Sequence, residues 1–468
     1  MATSTQAPAS RAVSQLKERI SSLMPEAHND LAELVACQSV ADPRQFPASE
    51  CIKAAQLVID RFSGAGLQDV RLEETPDGHP AVYGHIPAPA GAPTVLLYCH
   101  YDVQPPLDQT GKAWESPVFE LTERDGRWYG RGAADCKGNI VVHLTALRAL
   151  KGELPVGVKL IAEGSEEQGT GGLERFVPHH AQLLEADAIL VADTGNFAVG
   201  VPTLTTSLRG LVNVVLTVST LENAMHSGMF GGPAPDALLA LIKILATLRD
   251  DRGNTTVQGL ECDAKWQGVD YTPDQFRTDA HVLDDVELLG DGSVADMLWS
   301  RPAVNVLGID CPPVVGSSAA ITPQARARVS LRIPPGIDPK QAEAALSAHL
   351  RAVAPWHAKV EIEPEAAGAP FRASTEGPAY KAMSDALEQA YGRAVTTEGQ
   401  GGSIPLCNVL QGTFPDAEIM LLGVEEPRCL IHAPNESVDP AEIEHMALAE
   451  ALFLANYSDA RSLPGKRG

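Results

Sequence analysis

The sequence lacks the features that mark a secreted, membrane-spanning or nucleic-acid-binding protein. Residues 1–20 contain no apolar h-region of a secretory signal, and no run approaches the roughly 20 apolar residues that span a bilayer. Lys and Arg number 36 against 60 Asp and Glu, which gives a formal net charge of −24 and leaves little basic surface for phosphates. We therefore expect neither a membrane nor a nucleic acid among the partners.

The cysteines also lack the spacing of a disulfide framework or a thiolate metal site. Eight are scattered along the chain without a CxxC pair. This pattern is typical of reduced thiols, so we expect a cytoplasmic protein. Cys99 and Cys136 adjoin candidate metal ligands, and we interpret both as packing residues.

Apolar runs alternate with helical stretches in the first two hundred residues and again near the end. The continuous apolar run at 94–99 is typical of a strand buried on both faces, and 138–150 has helical spacing. Further buried strands are predicted at 156–162 and 188–192, and the α/β pattern resumes at 419–422. We predict an α/β fold in which helices flank a mostly parallel central sheet. Functional residues of such sheets gather at the carboxyl ends of the strands.

The middle of the chain has a different pattern. Alternating residues predict strands at 212–218 and 326–333, and helices follow at 237–248 and from Asp338 to Val353. With further strands near 303–309 and 358–363, the order is strand–helix–strand–strand–helix–strand, the ferredoxin-like pattern. We therefore predict an inserted α+β domain at 208–368 within a catalytic domain formed by 1–207 and 369–468.

Polar residues follow the predicted strands or open the loops beyond them. They form the ordered set His100, Asp135, the Glu166–Glu167 pair, Asp193 and His432. Nitrogen and oxygen ligands without thiolate suit zinc, and also manganese or cobalt. Five ligands are too many for one tetrahedral ion, whereas one shared carboxylate allows two ions about 3.5–4 Å apart. Taken singly, Asp135 could instead cap a helix, and the glutamates could form a solvated acidic turn.

The motifs HYDVQPP, GRGAADCKGN, EGSEEQGTGG, SLRG, HSGMFGG, GGSIP and HAPNES resemble those of the M20 family of metallopeptidases, and within it the cytosolic dipeptidase branch. The resemblance covers essentially the whole chain. It implies a catalytic domain and an inserted lid domain through which two chains form a homodimer. It also implies that His100 and Asp193 bind one zinc, that Glu167 and His432 bind the other, and that Asp135 bridges both.

The same resemblance implies roles for residues around the metals. Glu166 would be the general base, and Asp102 would orient His100. His226 would polarise the scissile carbonyl from its own or the partner subunit, although the residues alone allow an ordinary loop histidine. The resemblance also gives a set of substrate contacts, namely Arg332, Ser403 and Asn305, and a cis peptide bond between Asp135 and Cys136.

These features predict a di-zinc hydrolase of dipeptides or short peptides, in which Glu166 takes a proton from the attacking water and returns it to the leaving amine. Three alternatives remain open. The metal core could serve an amidohydrolase of N-acyl, N-carbamoyl or N-succinyl amino acids. The chain could be a non-catalytic metal-binding protein that kept the fold. It could also be a serine hydrolase using Ser403, although it has no GxSxG motif.

Overall fold

The computed structural model describes residues 8–108, 111–260 and 263–462. The chain forms two compact units: the first comprises Met1–Thr206, Ala373–Glu398 and Leu406–Gly468, and the second comprises Ser207–Arg372 and Gly399–Pro405. The second unit therefore includes a short loop that the sequence assigned to the catalytic domain. Within that unit the Arg209 amide donates a hydrogen bond of 3.0 Å to the Gln400 carbonyl, which ties the loop to the start of the insertion.

The strands of the described chain are β1 (Gln68–Glu73), β2 (Ala81–Ile86), β3 (Thr94–His100), β4 (Thr122–Arg124), β5 (Arg127–Tyr129), β6 (Gly157–Glu163), β7 (Ala188–Ala192), β8 (Thr203–Leu208), β9 (Gly210–Ser219), β10 (Met225–His226), β11 (Ala303–Asp310), β12 (Ala320–Ile321), β13 (Gln324–Ile333), β14 (Lys359–Gly368), β15 (Phe371–Arg372), β16 (Thr396–Gln400), β17 (Glu418–Leu422) and β18 (Ser437–Val438).

The α-helices are α1 (Pro8–Ala36), α2 (Ala48–Gly64), α3 (Lys137–Leu150), α4 (Gly172–His179), α5 (Ala181–Leu184), α6 (Ser227–Phe230), α7 (Ala237–Ala246), α8 (Pro273–Asp279), α9 (Pro339–Ala352), α10 (Pro378–Tyr391), α11 (Pro405–Thr413) and α12 (Pro440–Ser462).

The first unit is built on a sheet with the strand order β1-β2-β6-β3-β7-β17-β8. Its four central strands, β6, β3, β7 and β17, are mutually parallel, and the strands outside them pair antiparallel. Helices α1, α3 and α12 pack against one another beside this sheet, and α10 packs against α12. The predicted α/β fold, with a mostly parallel central sheet and flanking helices, is confirmed.

The central strands of the first unit are almost entirely buried. All residues of β3 after Thr94 are buried, and every residue of β7 is buried, as expected for strands covered on both faces. Parallel pairing places His100 at the end of β3 opposite Glu163 at the end of β6, and Leu422 of β17 opposite Ala192 of β7. The carboxyl ends of these four strands therefore lie along one edge of the sheet.

The second unit contains an antiparallel sheet with the order β11-β13-β9-β14. With α7 after β9 and α9 after β13, this is the ferredoxin-like arrangement. Residues at every second position of β9, from Val212 to Val218, are buried with Leu241 and Leu346 of the two helices. The other face of the sheet is the open face, away from α7 and α9.

Within residues 8–108, 111–260 and 263–462, no helix has both the length and the apolar character needed to cross a membrane. The seven described cysteines are free thiols, and all except Cys311 are buried.

Candidate metal centre and active site

The candidate ligands lie where the central strands of the first unit end. His100 is the last residue of β3, and Asp193 directly follows β7. Glu167 lies in a one-turn 3₁₀-helix, Glu166–Gln168, shortly after β6. Asp135 precedes α3, and His432 lies in the loop after β17 with a left-handed backbone (φ 60°). Residues spread over more than three hundred positions thus meet at one edge of the sheet.

Asp135 lies between the two histidines. Its Oδ1 is 2.9 Å from His100 Nε2, and its Oδ2 is 3.0 Å from His432 Nε2. His100 Nε2 also lies 3.1 Å from Asp193 Oδ1, and His432 Nε2 lies 3.0 Å from Glu167 Oε2. The five residues therefore form two imidazole–carboxylate clusters that share one carboxylate.

The donor atoms of these clusters fit metal ions. Asp135, Glu167 and His432 place one donor atom each within 4.8 Å of one another. A second such group contains His100 and Asp193, with Cys136 as its third member. Imidazole nitrogen and carboxylate oxygen are the ligands that zinc takes in hydrolytic sites. The His432 side chain is 51% exposed whereas that of His100 is fully buried, so the His432 cluster lies on the solvent side.

Cys136 has the position of a ligand but the environment of a packing residue. Its thiol donates a hydrogen bond of 2.9 Å to the Ala192 carbonyl, and burial raises its pKa to about 12. A thiol in this state is a poor metal ligand, because metals bind the thiolate. The peptide bond between Asp135 and Cys136 is cis.

The electrostatics of the site favour cations. Hydrogen bonds to Asp135 and Glu167 raise the pKa of His432 to about 11, and burial raises the pKa of Glu167 to about 7. Burial, followed by the charge of Asp193, holds the pKa of Glu166 well above its usual range. Each shift binds a proton that reduces the negative charge of the cluster, so metal ions and protons compete for the same groups.

Asp102 connects the two halves of the site. Its carboxylate accepts hydrogen bonds of 3.1 Å from the backbone amides of both Glu166 and Glu167. His100 Nδ1 lies 3.1 Å from the Asp102 carbonyl oxygen and 3.3 Å from Oδ1, so the shorter contact is to the backbone. Either acceptor keeps the proton on Nδ1 and leaves Nε2 free for a metal.

Glu436 holds the Asp135 loop, a role that sequence reasoning missed. Its fully buried carboxylate accepts hydrogen bonds from the backbone amides of Gly132 (3.0 Å), Ala134 (3.1 Å) and Asp135 (3.1 Å). It also accepts one of 2.8 Å from Arg131 Nη1. One side chain therefore fixes the backbone that presents the central carboxylate.

Asp77 holds the loop that carries the glutamate pair, and it too was missed. Its carboxylate accepts hydrogen bonds from the hydroxyls of Thr75 (2.6 Å), Ser165 (2.6 Å) and Thr170. A Cβ on Gly172 would lie 2.4 Å from the Asp77 carboxylate, so only glycine allows this close approach. The sequence around Asp77 does not reveal this role, because Ser165 and Thr170 are about ninety residues away.

Two other residues beside the ligands were not identified from the sequence. Gln104 Nε2 donates to Glu167 Oε2 at 2.8 Å and orients that carboxylate. Glu425 is buried and places a carboxylate oxygen within 4.8 Å of ligand atoms of Asp135 and Asp193. The sequence signal for Glu425 was its position just beyond an apolar strand, the same signal that identified Asp193.

The expected substrate contacts lie in the second unit. Arg332 lies on β13 between Ala303 and Leu211, and Asn305 on β11 pairs with Ser330, two residues before Arg332. His226 is exposed, and its Nδ1 accepts a hydrogen bond of 3.1 Å from the Gly228 amide.

Ser403 belongs to the short loop of the second unit, and its Oγ would lie 3.6 Å from a Cβ on Gly368. The roles of these four second-unit residues stay predictions.

Comparisons with known proteins agree with this architecture. Residues 96–456 match the model of peptidase family M20/M25/M40. The chain is 45% identical over 437 residues to a cysteinylglycine-S-conjugate dipeptidase of Corynebacterium striatum, covering 92% of this chain and 94% of the relative. It is 27% identical to a β-Ala-His dipeptidase of Rattus norvegicus, over 96% of each chain. The solved structure of the di-peptidase Dug1p from Saccharomyces cerevisiae superposes with a TM-score of 0.79 at 22% identity, covering 96% of this chain and 98% of the other.

The chain belongs to peptidase family M20/M25/M40. The predicted resemblance to this family, and within it to the dipeptidase branch, is confirmed, and with it the prediction of a metallopeptidase.

Proposed function

We propose that this metallopeptidase is a dipeptidase with two metal ions held by the five predicted ligands. The observation that carries the proposal is the position of Asp135, whose two carboxylate oxygens lie 2.9 and 3.0 Å from the Nε2 atoms of two different histidines. In this assignment Asp135 bridges the ions. His100 and Asp193 complete one site, and Glu167 and His432 complete the other. Zinc is the first choice for this donor set, with manganese or cobalt as alternatives.

Glu166 is the proposed general base and acid. Metal ions in the two sites would polarise the peptide carbonyl and make an attacking water more acidic. Glu166 lies next to the ligand Glu167 on the 3₁₀-helix, and Asp102 fixes the backbone amides of both. The Glu166 carboxylate would take the proton from the water and then return it to the leaving amine. His226 is the proposed donor to the carbonyl oxygen as negative charge develops there.

Dipeptides ending in glycine are the first substrates to test. The relative that supports this choice is 45% identical over nearly its whole length and is named for cysteinylglycine S-conjugates. We expect cysteinylglycine and an S-alkylated derivative to be cleaved faster than β-alanylhistidine.

A matched panel should contain these three peptides and an N-acetyl, an N-carbamoyl and an N-succinyl amino acid, with amine release as the readout. Faster cleavage of an N-acyl substrate would replace the dipeptidase with the amidohydrolase alternative. Absence of turnover on every substrate by the zinc-loaded protein would favour a non-catalytic binding protein. Activity that survives complete metal removal would support the Ser403 alternative.

A homodimer formed through the second unit is the proposed assembly. Support comes from β11, which lies at the edge of the four-stranded sheet and exposes Val306, Leu307 and Ile309. An unpaired strand edge with apolar side chains favours pairing with another chain, and a second copy would offer the same edge around a twofold axis. Light scattering should give twice the 49.6 kDa chain mass. Leu307→Lys should shift this value towards the monomer, whereas an unchanged dimer would exclude β11 as the interface.

A cytoplasmic location remains part of the proposal. The free thiols of the described cysteines support a reducing compartment. Fractionation of the native host should recover the activity with cytoplasmic marker enzymes, and recovery in the culture medium would contradict the location.

A further inference from the structure

Arg209 is a buried cation in the second unit that the proposed mechanism does not use. It lies between β8 and β9 and is 7% exposed. Among the described residues, none accepts a hydrogen bond from its Nε or Nη1. Burying guanidinium donors without acceptors is costly, and arginine is rarely buried unless it is paired. The position therefore calls for an anionic partner that is not part of the described chain.

The strand register places Arg209 on the same face of the sheet as Arg332. Leu211 pairs directly with Arg332, and Arg209 lies two residues before Leu211. Because side chains two residues apart in extended chain point to the same side, both arginines belong to the open face, opposite to that of the core residue Val212. Burial, together with the nearby charge of Arg332, lowers the pKa of Arg209 to about 10.

The short loop of the second unit, Gly399–Pro405, lies against the Arg209 guanidinium. A Cβ on Gly401 would lie 2.7 Å from Arg209 Nη2, so a larger residue there would push the guanidinium aside. Gly368 pairs with Leu211 in the sheet, and Ser403 Oγ is 3.6 Å from the position of a Cβ on Gly368. The two arginines and the Ser403 hydroxyl thus gather at one end of the sheet.

We propose that Arg209 is a second carboxylate-binding residue, which holds the free α-carboxylate of the dipeptide substrate together with Arg332. This inference rests on the proposed dipeptidase function and adds a residue to its substrate site. A carboxylate offers two oxygens to the planar forks of two guanidinium groups, and it neutralises two cations that otherwise repel each other. The enzyme should therefore require a free carboxyl terminus, with Arg209 contributing to that requirement.

The test compares a dipeptide with its C-terminal amide, which has the same shape without the negative charge. S-methylcysteinylglycine and its amide are titrated calorimetrically into zinc-loaded Glu166→Gln protein, with and without Arg209→Met. We expect Arg209→Met to weaken binding of the dipeptide about 10- to 150-fold, as for loss of a charged hydrogen bond, and to change binding of the amide less than twofold. Arg326→Met is the matched control, because Arg326 lies on β13 with Arg332 but is exposed beside Asp310, and both affinities should be unchanged.

Two further measurements separate ligand binding from a structural role. Removing an unpaired buried charge should leave the melting temperature of Arg209→Met unchanged or raise it, whereas a structural arginine would lower it. Gly401→Ala, which displaces Nη2 and keeps the charge, should also weaken dipeptide binding selectively.

Equal losses for the dipeptide and the amide, no loss for either, or no binding of the dipeptide to Glu166→Gln would overturn the inference. Because the readout is binding, it does not depend on turnover, which tests the proposed function separately.

Discussion

Replacing Glu436 by glutamine tests whether the hydrogen bonds between its carboxylate and the Asp135 loop are needed for metal binding. Glu436 Oε1 accepts the amides of Ala134 and Asp135, and Oε2 accepts Gly132 and Arg131. Glutamine keeps one of the two acceptor oxygens. Its NH₂ group replaces the other oxygen and faces two N–H donors that then have no acceptor. The less costly orientation keeps Arg131 paired and leaves two buried amides without acceptors.

The expected effect follows from these contacts. Two buried unsatisfied donors at about 1–3 kcal/mol each predict a loss of about 2–6 kcal/mol in the free energy of unfolding. Because the Asp135 amide loses its anchor, zinc affinity should also fall about 10- to 100-fold, as for other groups that orient metal ligands.

Zinc affinity is measured by competition with a chromophoric chelator, and stability by urea unfolding of the metal-free protein. Glu365→Gln is the control, because its partner Arg328 is exposed at the surface, and surface substitutions usually change stability by no more than about 0.5 kcal/mol. A Glu436→Gln protein with wild-type zinc affinity and a stability loss below about 1 kcal/mol would refute the assigned role.

Three other substitutions separate the roles of the site residues. Glu166→Gln should lower kcat about 10²- to 10⁴-fold while metal content, measured by plasma emission spectrometry, stays at the wild-type value; near-normal kcat would exclude Glu166 as the base. Asp135→Ala should lose metal and activity together, and a variant that retains both ions would contradict the bridging role. Asp77→Asn weakens the acceptor for Ser165 and Thr170 without touching a ligand, so kcat should fall about 10-fold with KM nearly unchanged. Steady-state kinetics check this last expectation, and a rise in KM alone would point to a substrate contact instead.

The sequence predicts the sheet well where burial leaves a local signal. The run TVLLYC predicts a strand at 94–99, and the observed β3 extends one residue further, to His100. Because the carboxyl ends of parallel strands lie at the same edge of a sheet, the polar residues that follow such runs could be predicted to form one site. The same reasoning finds Asp193 after β7 but overlooks Glu425 after β17.

Elements without a clear hydrophobic pattern, and contacts between residues far apart in the sequence, could not be predicted. Strand β1 is largely exposed, and only Val70 and Leu72 alternate with its polar residues, which is too short a pattern to identify a strand. Helix α12 is buried on several sides, as Met446, Ala447 and Leu448 are all inaccessible, and therefore has no single apolar stripe. The role of Glu436 depends on backbone amides some three hundred residues away, and only the folded chain brings these groups together.

Anomalous X-ray diffraction at the zinc absorption edge, from crystals of the zinc-loaded protein, tests whether Asp135 lies between two bound metal ions. We expect two peaks about 3.5–4 Å apart on either side of Asp135, one beside His100 and Asp193 and the other beside Glu167 and His432. A single peak, or a second ion bound by Cys136 or Glu425 in place of these ligands, would contradict it.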